Sequence, residues 1–551
     1  MLDGLRLFAQ PDMLLYLAMG VVFATAVAVM PGLGGLFAMT VVLPFTFKMN
    51  PMDAIALVLG TAVVTGSANT VTSVLIGVPG SASGVASVLD GYPMAQRGEG
   101  SRAISAGVFA SLFGGLLGAG VLAVLIPIMR PFILRLGPAE FAAIIIITVL
   151  SLGALTPGEG IRGFVAALLG LLLSFVGIEA STGTLRFTFG QTYLWDGIPI
   201  VPMLIGLFAI AEMWKLVSTG VPIASSARTP ASNRAQMWQG FRDVVHHWRA
   251  ALRSSAMGII AGLAPGVGGG AAQFMGYGAV VSAGPAVDAE GRAFGEGRIE
   301  GVIGADAGTN SIYGSSLVPT LALGIPGSIE MAVLLALFVQ VGIRPGPSLL
   351  GEHRDLIWMI IFGLIFATLV TTTLTLGLTP ILARIAFIKP EYLIPPILLV
   401  AVVGAYATTN NLADVIVAVA FGVLGVVMTK FGYSRVPLVI GFVLGPLVER
   451  YTFLSWNLYG TSMIYRPALQ AIVGVTLALF VWRRVARHMR RRRSCAAEIP
   501  VHRRKHLQSP GELVRRSTVM QCGLFGIGRL RAILSVCSLK NGAGWISAGY
   551  F

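Results

Sequence analysis

Charge is scarce in this sequence. Only 11% of its 551 residues are Asp, Glu, Lys or Arg, against about 25% in a soluble domain. A chain so short of charge cannot cover a water-facing surface of this size, which excludes an ordinary soluble protein. Cysteine is scarcer still. Its three copies, Cys495, Cys522 and Cys537, lie close to the C-terminus, so no disulfide framework is implied and the body holds no thiolate for metal or redox chemistry. The six histidines (His246, His247, His353, His488, His502 and His506) fall in expected loops or in the tail, which leaves an intramembrane zinc hydrolase without ligands. No Walker motif occurs, so this chain does not itself hydrolyse ATP. The stretch PGVGGGA (265–271) has the glycines of a dinucleotide loop but follows no strand of a βαβ unit.

Apolar residues and glycine are abundant. Hydrophobic residues make up 55% of the chain, with 69 glycines, and glycine is commoner in membrane helices than in soluble ones. Nearly uncharged runs cover residues 103–129, 141–155, 162–178, 355–379, 391–407, 411–429 and 465–482. Each approaches the ~17–25 residues needed to cross a bilayer core. The fold class expected is an all-α polytopic membrane protein of about 10–12 membrane helices. A barrel would show short alternating segments instead. Met13–Met30 follows the single Arg6 and leads into PGLGG rather than a small-residue cleavage site, so it reads as a first membrane segment and not a signal peptide.

Basic charge is concentrated at one end. Residues 483–551 hold 15 Lys/Arg against two acids, which is +13 of the chain's +15 and leaves +2 for the first 482 residues. By the positive-inside rule the C-terminus is cytoplasmic and the protein a multi-pass one. The tail reads as a disordered segment that is solvated or faces anionic lipid, and nucleic-acid binding is not its expected role.

Four landmarks recur in the same order. MPGLGG (30–35) matches APGVGG (264–269), GVPGS (77–81) matches GIPGS (324–328), GPAEF (137–141) matches IKPEY (388–392), and VPMLIG (201–206) matches VPLVIG (436–441). The offsets are 234, 247, 251 and 235 residues. An internal duplication is the simplest account. It divides the chain into a first membrane repeat (1–217), a polar, cytoplasmic linker (218–252), a second membrane repeat (253–482) and the tail (483–551). Duplicated halves with matched Gly/Pro interruptions characterise transporters, in which broken or re-entrant helical hairpins meet near the midplane.

The repeated Gly-x-Pro-Gly-Ser is a helix break. Proline stops the incoming helix, Gly80 or Gly327 can then take a backbone angle closed to other residues, and Ser81 or Ser328 can cap the next short helix. Irregular backbone at membrane depth is tolerated only inside protein or beside an aqueous cavity. There, helix N-termini favour an anion and C-terminal carbonyls a cation. Candidate substrate contacts are therefore Gly32, Gly34, Pro79, Gly80, Ser81, Gly266, Gly268, Pro326, Gly327 and Ser328, together with Ser67, Asn69, Thr70, Asn310 and Ser311 from the small polar runs just before each tetrad. Thr72, Asp306, Thr309 and Glu330 are the ion-coupling candidates, acids within membrane segments being functional by default. The competing reading of the polar runs is helix–helix packing. Asp90, in LDGYPM, reads as a turn residue. No cofactor or bound metal is expected beyond a coupling Na⁺ or H⁺.

PGLGG, LIGVPGSASGVASVLDGYPMAQRG, LAPGVGG, LVPTLALGIPGS and VVGAYA with Asp414 downstream resemble the large membrane subunit of the tripartite tricarboxylate transporters, the TctA family. The resemblance spans about residues 10–482. It implies a secondary active transporter subunit of the bacterial cytoplasmic (inner) membrane that imports tricarboxylates or related carboxylates on a Na⁺ or H⁺ gradient. It further implies two partners, a small four-helix membrane subunit and a periplasmic solute-binding protein. Gly77 stands where members often have Asn, Asp306 and Thr309-Asn310 where they have Glu and Asn-Asn, and Glu330 where Thr is usual. Two other classes compete. A passive anion channel would carry flux independent of an ion gradient, and a membrane-embedded enzyme would need intramembrane His or Cys.

Overall fold

A computed structural model describes residues 2–30, 32–155, 160–179, 182–219, 233–288, 290–385 and 390–474, with Thr476 and Ala478 beyond them. The tail and Pro31 lie outside the described residues. The helices α1 (Leu2–Phe8), α2 (Pro11–Ala28), α3 (Gly35–Val42), α4 (Pro51–Leu75), α5 (Val85–Gln96), α6 (Gly100–Ile133), α7 (Pro138–Leu155) and α8 (Gly160–Leu173) come first. A two-residue antiparallel pair, β1 (Gly177–Ile178) with β2 (Leu185–Arg186), follows. Next come α9 (Ile200–Leu204), a π-helical segment (Ile205–Ile210) and α10 (Ala211–Thr219), which run as one helix. The second series is α11 (Arg234–His246), α12 (Trp248–Leu263), α13 (Gly268–Val281), α14 (Ile299–Leu323), α15 (Ile329–Gln340), α16 (Pro347–Glu352), α17 (Arg354–Gly377), α18 (Thr379–Ile385), α19 (Pro390–Thr409), α20 (Leu412–Lys430) and α21 (Arg435–Tyr459).

Seven helical stretches among the described residues are long and apolar enough to cross a membrane, and five shorter apolar ones accompany them. Leu15, Phe23, Val124, Leu150, Leu172 and Ile416 are exposed on their surfaces, as side chains facing lipid are and those facing water rarely are. The chain is an all-α polytopic membrane protein.

The most buried helix is among the least apolar. From Gly301 to Ala322 every residue of α14 is buried, including Asp306, Thr309, Asn310, Ser311, Ser315, Ser316 and Thr320. It lies among α6, α12 and α13. Close approach is possible because glycines line the contacts: a Cβ on Gly314 would run into the Gly118 backbone, and one on Gly258 into Gly308. Such small-residue seams replace hydrophobic driving force, which lipid does not supply between helices. Most of the hydroxyls bond back to carbonyls three or four residues earlier, as Thr309 does to Ala305 O at 2.9 Å and Ser311 to Gly308 O at 3.0 Å.

The long helices before the two tetrads match closely. Helices α4 and α14 are 25 residues each, and the short helices after the breaks, α5 and α15, are 12 each. Gly77 and Gly324, rather than Gly80 and Gly327 as expected, take the left-handed angle, both at φ 71° just past the long helix, the position at which helices commonly end. The arms are interlocked: α5 packs on α14 as well as α4, and α15 on α4 as well as α14. Around this core stand two outer groups, α7 and α8 against α21, and α19 and α20 against the helix from Ile200 to Thr219.

Two local readings change. The described part of the polar stretch, from Asn233, is an amphipathic helix rather than a loop. Asn233 caps it through Ala235 N (3.0 Å), and Arg102 on α6 pairs with its Asp243 at 2.6 Å. Asp90 is not a turn residue. It lies inside α5, fully buried. Its Oδ1 accepts from Gly295 N (2.9 Å), Gly297 N (2.9 Å) and Arg298 N (2.8 Å), and its Oδ2 from the Tyr277 hydroxyl (2.9 Å). The carboxylate thus holds the loop that leads into α14, Gly295–Arg298, from a different part of the chain.

Candidate functional site

A cavity of about 940 Å³ opens where the first break faces the outer helices. Its size falls within the ~300–1,000 Å³ of small-molecule sites. One wall is backbone-rich: Gly32, Gly34, Pro79–Ser83, Gly266–Ala271 and the start of α15 at Ile329 and Glu330. The other wall comes from the outer helices, including Leu152, Phe208, Glu212, Lys215, Thr429 and Gly432–Pro437.

The first break is built to face this space. After Gly77 the chain runs to Ser81, which caps a short 3-10 turn (Ala82–Gly84) leading into α5 and accepts from Ser83 N. Asn69 Nδ2 donates to Ser81 Oγ at 2.6 Å, and Ser73 Oγ donates to Gly84 O at 2.9 Å. A Cβ at Gly80 would collide with Asn69 Oδ1 and Ala28 O, so only glycine lets the loop sit this close. Gly32, Gly266 and Gly268 turn neighbouring parts of the same wall at φ 81°, 84° and 72°. The first turns of α13 and α15 and the turn leading into α5 all reach the cavity; Ser328 caps α15 and Ser81 the turn, while the leading N–H groups of α13 have no side-chain cap.

The second break lies beneath the lining rather than in it. Pro326, Gly327 and Ser328 are buried and absent from the cavity wall. Gly327 N donates to Thr320 Oγ1 (3.2 Å), Gly327 O accepts from Gly266 N (3.1 Å), and Ser328 Oγ caps α15 through Met331 N (3.4 Å). It supports the glycine loop that does line the cavity.

The polar runs also lie behind the wall. Ser67, Asn69, Thr70, Thr72, Thr309, Asn310 and Ser311 are all buried outside the lining. Asn310 Nδ2 donates to Ser67 Oγ at 2.8 Å, joining α14 to α4, while Thr72 Oγ1 donates to Asn69 O at 3.0 Å. Asp306 is 1% exposed. Its Oδ1 accepts from Ser87 Oγ at 2.6 Å, and Ser87 Oγ accepts from Gln273 Nε2 at 2.9 Å. Its other oxygen lies beside Gly107 and Thr70. Asp306 therefore ties α5, α6, α13 and α14 together a layer below the cavity. Glu330 does reach the lining, from the first turn of α15.

Three ionisable residues of the lining escaped the sequence reading. Glu212 Oε1 accepts from Lys215 Nζ at 3.0 Å and its Oε2 from Arg435 Nη2 at 3.1 Å. Arg435 Nη1 also donates to Leu207 O at 2.7 Å, within the π-helical segment, and its guanidinium lies over the Phe208 ring. The signal was present: AEMWKL places an acid and a base three apart inside an apolar run, and Arg435 directly precedes the VPLVIG landmark. Among the described residues no group of three or more His, Cys, Asp or Glu could hold a metal ion.

A multi-pass helical protein with a solute-sized cavity at a broken helix has the architecture of a membrane transporter. Residues 14–440 match the tripartite tricarboxylate transporter TctA family. The chain belongs to that family, and it is a tricarboxylate transporter subunit. It is similar to an uncharacterized 52.8 kDa protein in the TAR-I ttuC' 3'region of Agrobacterium vitis, 30% identical over 87% of this chain and 94% of that protein. A second Agrobacterium vitis protein, uncharacterized and in the TAR-II ttuC' 3'region, is 35% identical over 34% of this chain and 79% of its own length. No solved structure matches.

Proposed function

We propose that this chain is the permeation subunit of a secondary active importer of tricarboxylates or related carboxylates in the inner membrane. The observation that carries this reading is the cavity's pairing of the uncapped N-terminus of α13 on one wall with Arg435 and Lys215 on the other. Both features favour an anion. The solute binds at the first break, between the interlocked core and the outer helices. The matched lengths of α4 and α14, and of α5 and α15, support descent from a duplication. Because the arms of the two halves interlock, the moving unit is the core of both halves rather than one half.

Import is driven by Na⁺ or H⁺. Asp306, buried behind the cavity with Thr70 and Ser87 around its carboxylate, is the residue that senses the coupling ion, with Glu330 as the second acid. A periplasmic binding protein delivers the solute and a small four-helix membrane subunit completes the complex, with the basic tail in the cytoplasm. Uptake of radiolabelled citrate by cells expressing the intact system tests this. Accumulation should collapse with either a sodium or a proton ionophore and should be lost in Asp306→Asn while solute exchange persists. Flux indifferent to both gradients would instead establish a passive pore.

A further inference from the structure

We propose that Arg435 and Lys215 form the carboxylate-recognition group of this transporter, and that Glu212 is a built-in stand-in whose carboxylate exchanges with the solute's own. The proposal rests on the carboxylate reading above and assigns its charged contacts.

Glu212 bridges two cations, one through each oxygen. Its side chain is 13% exposed and that of Arg435 19%, so this is not a solvated surface pair. Arg435 is held in place independently of Glu212, by Leu207 O and by the Phe208 face. Its guanidinium therefore keeps its position when the carboxylate leaves. Lys215 is about half exposed at 53%, and its flexible stem can follow either partner. Among the lining residues of this wall, two cations share one acid, an excess of positive charge. The facing wall offers N–H groups and a single acid, Glu330.

The two walls impose a requirement on the solute. A monocarboxylate can satisfy only one of them. A solute with two or three carboxylates displaces Glu212 with one group and meets the uncapped α13 N-terminus with another, bridging the core to the outer helices. The triad thus selects by number of carboxylates rather than by carbon skeleton, and the bridge links solute occupancy to the relative position of the two walls.

The test is thermal-shift titration of the purified full-length chain with citrate, succinate and propionate at constant ionic strength. The wild type should be protected by citrate and succinate well before propionate. Arg435→Gln and Lys215→Gln should each weaken apparent citrate affinity about tenfold, the scale of one charge-assisted hydrogen bond, with Arg435→Lys intermediate. Glu212→Gln should do the opposite, binding citrate several-fold more tightly because its cations are released. If Arg435→Gln proves misfolded, Lys215→Gln and Glu212→Gln still decide, since opposite shifts are required of them. Unchanged citrate affinity in those variants, or weakening in Glu212→Gln, overturns the proposal while leaving the carboxylate reading intact. A wild type protected by none of the three probes overturns both.

Discussion

The two Gly-x-Pro-Gly-Ser breaks share a sequence pattern, a left-handed glycine at the same φ, and a serine cap, yet they face different surroundings. The first has Pro79, Gly80 and Ser81 on a cavity wall. The second is buried, its amide and carbonyl used by Thr320 and Gly266. Repetition of a motif therefore does not repeat its role. In the second copy the exposed backbone groups of a broken helix are satisfied by protein, as membrane depth demands. In the first, Pro79, Gly80 and Ser81 reach the cavity surface instead.

Four substitutions would break or sharpen that contrast. Gly327→Ala should have the largest effect on stability. The added Cβ would sit 2.7 Å from Ser316 Cα and O, and overpacking of this kind costs about 1–3 kcal/mol, seen as a lower unfolding midpoint of the purified protein. Ser81→Ala should come next, at about 1–2 kcal/mol, because it leaves Asn69 Nδ2 buried without its 2.6 Å acceptor. It should also raise the KM for uptake, since Ser81 lines the cavity. Ser328→Ala should cost about 1 kcal/mol, a lost N-cap, and leave KM unchanged; a shift in KM equal to that of Ser81→Ala would abolish the distinction between the breaks. Gly268→Ala should be mildest. The added methyl would meet no atom within 4 Å, so only the left-handed φ is penalised, at about 1 kcal/mol.

The fold was legible because its punctuation is local. Asn50-Pro51, Asn411 and Ser328 mark helix starts, Gly77 and Gly324 mark ends, the uncharged run 103–129 falls inside α6, and the nearly uncharged run 411–429 coincides with α20 and its cap. The breaks lining the cavity were legible for the same reason. The rest depends on rotation about helix axes and on partners distant in sequence. Asn69 and Thr70 are adjacent in the chain, yet one braces Ser81 and the other lies beside Asp306, since each helical residue turns about 100°. Asp90 looked like a turn because Asp-Gly and Pro93 follow one another so closely. In the structure the helix persists through Pro93, and the acid's partners lie some two hundred residues away, at Gly295–Arg298. The Glu212 triad brings together residues separated by 223 positions.

The π-helical segment Ile205–Ile210 sets the angular phase of one cavity wall. A wider turn carries one residue more than the α-helix needs. Removing a single residue there would restore regular winding and leave the flanking turns nearly in phase, because the wider turn absorbs the extra residue, whereas adding one more would swing everything after it by about 100°. After such an insertion Glu212 and Lys215 would point into lipid or neighbouring helices, while Arg435, on a separate helix, stayed behind. The charge of the cavity thus hangs on how many residues one short stretch of apolar chain must absorb, and a further insertion of otherwise conservative character there would do more harm than most substitutions.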